Sequence, residues 1–164
     1  MATLLVVNSG KPQYVASLAF LVSQVGAHSA RRFASLLEPL GLSPRAYGVL
    51  SNVAADKGQT QQQLADVLGI HRNNMVGLID ELEGAGWVRR QRHQQDRRAF
   101  EIHLTKSGSA LVQRVDRLIP RLDEEIGRGL SAAERRQMID LLQHAAAATG
   151  LDAGVHPYLR GRPG

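Results

Sequence analysis

The sequence predicts a mainly α fold carrying a small β-hairpin, a winged helix-turn-helix flanked by helices at both chain ends. Three observations predict it. Two short helical patterns meet at a tight turn, Gly69-Ile70. A basic polar stretch and an alternating segment, Phe100-Glu101-Ile102-His103-Leu104, follow them as a hairpin would. Long amphipathic patterns then precede and follow this middle part.

The elements are justified in order. Residues 1–12 end in Gly10-Lys11-Pro12 and read as a flexible arm. From about Gln13 to Leu40, apolar positions recur helically through Tyr14, Leu18, Leu21, Val22, Val25, Phe33, Leu36 and Leu37, and Pro39 and Gly41 stop them. Ser43-Pro44 starts a second helix as cap and first-turn proline, with Ala46, Val49, Leu50 and Val53 on one face. Thr60 and Gln63 fit a capping box ahead of Leu64, Ala65 and Leu68. The next helix begins near His71, buries Met75, Leu78, Ile79 and Leu82, and ends at Gly84-Ala85-Gly86. Trp87-Val88 and Phe100–Leu104 are the expected strands, with 89–98 as the loop between them. Thr105 caps a helix running to Ile126 that Pro120 should kink. Ser131 and Glu134 form another capping box, for a last helix ending at Gly150, and 151–164 reads as a flexible tail.

Composition narrows the function. The 164 residues suffice for a domain with a real core, and 43% are hydrophobic. There are 20 Lys and Arg against 15 Asp and Glu, a formal charge of +5, so an acidic partner such as nucleic acid is the first expectation. Cysteine is absent, which excludes disulfides, thiol redox sensing and cysteine-ligated zinc. No apolar run nears the roughly 18 residues of a membrane span, and the N-terminus lacks the basic start of a signal peptide. A cytoplasmic protein without membrane partners is expected.

The chemistry concentrates in two places. With the apolar face of the second helix of the pair turned inward, His71, Arg72, Asn73, Asn74, Val76 and Gly77 fall at or near its outward start. Arg can pair in bidentate fashion with guanine and Asn with adenine, and Val76 can meet a thymine methyl. The hairpin carries Arg89, Arg90, Arg92, His93, Arg97 and Arg98, with Asp96 as its one acid. Like charges at that density repel one another unless a polyanion is near. An arginine at such a tip suits a narrow minor groove, and Asp96 can fix the tip by accepting from loop amides or an arginine.

The stretch LADVLGIHRNNMVGLIDELEGAGWVRRQRHQQDRRAFEIHLTKSG resembles the MarR (multiple antibiotic resistance regulator) family of bacterial transcription factors. Leu-Gly-Ile before the second helix, LIDELEGAGWV across its end, and Asp96-x-Arg98 followed by LTKSG carry the resemblance together. It departs from the family at His71, where Ser, Thr or Asp is common, and at Gly77, where a longer polar residue is common. The resemblance implies a sequence-specific regulator whose recognition helix enters the major groove while Arg98 reaches the minor groove. It also implies a homodimer on a pseudo-palindromic operator, with 13–42 and 105–150 as dimerisation helices and 43–104 as the DNA-binding domain.

Family members are commonly repressors released by small phenolic or aromatic acids bound between those parts. Here His28, Arg31, Arg32 and Tyr47 match the expected pocket region, though Arg31 and Arg32 could equally be solvated or touch phosphate, and Tyr47 could be plain core. The six histidines show no recognisable ligand spacing, so no metal site is assigned, although a metal-responsive regulator remains an alternative. A protein–protein module is the other alternative. No nucleophile–base set, phosphate loop or carboxylate pair marks an enzyme, and no cofactor is expected.

Overall fold

The computed structural model describes residues 12–92, 99–152 and 154–156. A short 3-10 turn, Gln13–Ala16, precedes α1, Leu18–Leu37, whose Ser17 hydroxyl caps it by accepting from the Phe20 amide. The helical pattern expected from Gln13 is therefore interrupted at Ser17, which is extended. A second 3-10 turn, Glu38–Leu40, ends at Gly41 in the left-handed region. Then come α2, Pro44–Ala55, α3, Gln61–Leu68, and α4, Arg72–Gly84. The predicted caps form: Ser43 Oγ accepts from Ala46 N at 3.0 Å, and Thr60 and Gln63 exchange both bonds of the capping box. Gly69 makes the tight turn at φ 60°, a conformation a side chain would resist.

Strand β1, Val88–Arg92, pairs antiparallel with β2, Phe100–Leu104, in the register Val88 to Leu104 and Arg92 to Phe100. Arg89, Arg90 and Arg92 thus lie in a strand, a correction to the loop expected over 89–98; alternating burial of Val88 and Ile102 draws them into the ladder. Trp87 stays outside it. On its other side β2 meets the α3 entry, where Ile102 N donates to Gln59 O at 2.9 Å and Glu101 bridges Thr60. The hairpin is thereby tied to the start of α3.

Helices α5, Lys106–Asp116, and α6, Ile119–Ile126, replace one continuous helix, with the break just before Pro120. Helix α7, Ala132–Ala148, starts at the Ser131–Glu134 capping box. One core runs through Leu37, Leu50, Leu64, Met75, Ile79, Leu82, Ile102 and Val115. It draws on α1 and α5 as well as the middle of the chain, so packing does not respect the expected boundaries at 42 and 105. Within the stretch expected as a tail, Val155 packs against this core, an apolar side chain beyond the Gly154 turn finding a surface to bury on. By contrast α7 has no buried residue, and the first half of α1 exposes Leu18, Leu21, Val22 and Val25.

Candidate nucleic-acid interface

Helix α4 presents one apolar and one open face. Met75, Leu78, Ile79 and Leu82 are buried, whereas His71, Arg72, Asn73, Asn74, Val76 and Gly77 are all exposed. The structure thus gathers the six expected recognition residues on one solvent-facing turn and a half. His71 is an effective cap, since its Nδ1 accepts from Asn73 N at 3.3 Å. That leaves the neighbouring amide donors of the first turn available to an anion.

The strand arginines differ in surroundings: the alternation of the ladder puts Arg89 on one face and Arg90 and Arg92 on the other. Arg89 is exposed and stands opposite His103. Arg92 is exposed and lies over the Phe100 ring at 5.9 Å. Arg90 is turned inward instead. Its backbone amide donates to Glu83 Oε1 at 2.8 Å, and its guanidinium is paired with both Glu83 and Asp80 on α4. The Arg90 amide and then its guanidinium hold the Glu83 carboxyl below its ordinary range. In the sequence the two acids look like solvated helix surface, and their i, i+3 spacing on α4 is the one signal that they share a face. Asp96, Arg97 and Arg98, expected at the hairpin tip, lie outside the described residues.

The hairpin base is fixed by a dense junction. Thr105 N donates to Trp87 O at 3.0 Å. The Thr105 and Ser107 hydroxyls each donate to Gly86 O at 2.7 Å. Thr105 Oγ1 also accepts from Gly108 N and so caps α5. Gly108 is required here, because a Cβ would sit 2.0 Å from Trp87 O. This accounts physically for the Leu104–Gly108 segment.

The four expected pocket residues do not converge. Arg32 forms a two-bond pair with Glu125 at 2.5 and 2.8 Å and borders a cavity of about 650 Å³ between α1 and α6. His28, Arg31 and Tyr47 do not line it. Tyr47 packs edge-on against Phe33 and donates to Asp116 Oδ1 at 2.8 Å. Burial, helped by that bond, pushes its hydroxyl up to about 12. A second cavity, about 460 Å³, opens behind the hairpin among α2, both strands and α5, with Val53, Lys57, Arg89, His103, Val112 and Asp116 in its lining. Among the described residues, no three His, Asp or Glu side chains gather as metal ligands, and no helix is long and apolar enough to cross a membrane.

Comparison with known proteins agrees with this geometry. The model of the MarR family matches residues 40–99. A transcriptional regulatory protein for the hcr operon of Thauera aromatica is 32% identical over 103 residues, 63% of this chain and 62% of that relative, so the match spans less than two thirds of its length. A MarR-family transcriptional regulator from Rhodococcus sp. RHA1 is 30% identical, with a TM-score of 0.67 over 80% of this chain and 96% of its own. The transcriptional repressor CouR bound to a 23-mer DNA duplex is 27% identical, with a TM-score of 0.74 over 84% and 99%. CouR from Rhodococcus jostii RHA1 bound to p-coumaroyl-CoA is 28% identical, with a TM-score of 0.67 over 87% and 100%.

Proposed function

From the premise that the chain belongs to the MarR family, we propose that it is a homodimeric, sequence-specific regulator of transcription that binds double-stranded DNA in the cytoplasm. It acts as a repressor, released by a small effector. The observation that carries the reading is the exposed polar start of α4 beside a strand that exposes Arg89 and Arg92. Helix α4 is the recognition element for the major groove, with Arg72, Asn73, Asn74 and Val76 reading base edges and His71 and Gly77 letting the helix end approach the backbone. Arg89 and Arg92 serve phosphates along the wing, and Asp96, Arg97 and Arg98 take part in the same DNA contact. The DNA-bound CouR relative supports this assignment.

The dimer rests on the open apolar faces of α1 and α7, which one chain leaves uncovered. A two-fold pair reads a pseudo-palindrome with half-sites about one helical turn apart. The effector is a small acid with an apolar body. The cavity behind the hairpin suits it better than the one beside Arg32, whose guanidinium already holds Glu125. The CouR complex with p-coumaroyl-CoA supports an organic acid derivative as its class.

Fluorescence anisotropy with a labelled mixed-sequence duplex tests the core of the reading. Affinity is expected to fall by about a thousandfold or more between about 50 and about 200 mM salt, as several phosphate contacts require. An affinity indifferent to salt would overturn it.

A further inference from the structure

Arg89 and Arg90 are adjacent and chemically identical, yet they are placed differently. Arg89 lies in the open, whereas the Arg90 side chain is only 21% exposed and forks onto Asp80 and Glu83. Those acids sit one turn apart on the second half of α4, beyond the recognition residues of its first half. Glu83 also accepts the Arg90 backbone amide, so one carboxylate holds both main chain and side chain of the strand. The start of the strand is held separately, by Trp87 N donating to Leu82 O at 2.9 Å. The hairpin is also tied to the start of α3 and, at its base, to α5; against α4 itself, the Trp87 bond alone would act as a pivot. Two attachments, spaced three residues or about 10 Å along an extended chain, fix its direction.

We propose that Arg90 is a positioning residue, which through Asp80 and Glu83 sets the angle of the wing to the recognition helix and does not itself contact phosphate. The inference rests on the DNA-binding reading above. One guanidinium between two carboxylates leaves a local surplus of negative charge, which a phosphate would avoid. The planar fork matters because lysine, with a single ammonium, cannot span two acids in a fixed geometry.

The test is a set of anisotropy titrations on the full chain with the same duplex, below each variant's unfolding midpoint by circular dichroism. Glu83→Gln removes a negative charge beside the DNA, and simple Coulomb attraction would tighten binding. Positioning predicts the opposite, a loss of about tenfold. Arg90→Lys keeps the charge and is expected to lose about as much as Arg90→Ala. In the Arg90→Ala background, Glu83→Gln is expected to add no further loss, as partners in one interaction do. Arg92→Ala is the comparison, lowering the salt slope by about one phosphate. Tighter binding by Glu83→Gln, or near-native binding by Arg90→Lys, overturns the inference while the DNA reading stands. If Arg90→Ala fails to fold, the two conservative variants still decide. A native chain that binds no duplex overturns both.

Discussion

Tyr47 shows what a residue type conceals until its neighbours are known. In the sequence it is an aromatic at the start of a helix, equally suited to a pocket or to core. In the fold its ring meets Phe33 and its hydroxyl meets Asp116, so it joins α2 to α1 and α5. Its folded pKa is raised above the ordinary 10.0 to about 12. The protonated form is therefore the one the fold favours. This contribution is complete below about pH 10 and is lost as pH rises through about 12. Alkaline titration followed by tyrosinate absorbance should show one late phase near 12 that Tyr47→Phe abolishes. A late phase surviving in that variant would detach Tyr47 from the shift. The arginines teach the same lesson. Arg89, Arg90 and Arg92 read alike as basic loop residues, and only the ladder and the acids of α4 set Arg90 apart. His71 is the opposite case: it departs from the residues usual at that position, yet its ring nitrogen caps the helix.

At the scale of elements, the helices were legible because their signals are local. Ser43-Pro44, Thr60 with Gln63, Thr105, and Ser131 with Glu134 all cap helices as read, and Pro120 divides the α5–α6 run. Strand β1 was less legible, since Arg89 to Arg92 carry no apolar alternation of their own and are drawn in by their partners on β2. The junction of hairpin and α5 was not legible at all. Gly108 in a helix reads as a mild defect, because a glycine that matters for an absent Cβ leaves no pattern. Gly108→Ala would drive a methyl into the Trp87 carbonyl. A loss of about 3 kcal/mol or more is expected from urea unfolding, the upper end for overpacking. A cost under about 1 kcal/mol would mean the helix start can shift aside and that the junction is looser than its bonds suggest.

For the whole molecule, the proposed separation into DNA-binding and dimerisation parts is one of task, since the packing runs across it. Leu37 and Val115 share a core with Leu64 and Ile79. The uncovered apolar surface instead collects at α7 and the first half of α1, where Leu18 is 78% exposed and Leu21 and Val22 are each 45% exposed. The sequence indicated this surplus by having more apolar helix than a small domain could cover; which residues remained open needed the fold. Leu21→Glu combined with Val22→Glu should convert the proposed dimer to monomer in analytical ultracentrifugation, with duplex affinity falling by tenfold or more, about 1.4 kcal/mol. A double variant that sediments as native would remove α1 from the interface.

The division of labour between Arg89 and Arg90 has a consequence for how such wings can vary in length. The two are distinguished by nothing except odd or even position counted from Trp87, since successive strand residues point to opposite sides. Inserting one uncharged residue between Trp87 and Arg89 would bring Arg89 into the inward register and carry Arg90 out of it without altering the charge. A second inserted residue would return each arginine to its original face, one pair further along the ladder. Parity, more than the number of arginines, then decides whether a related wing is aligned with its recognition helix, and a count of basic residues cannot reveal it.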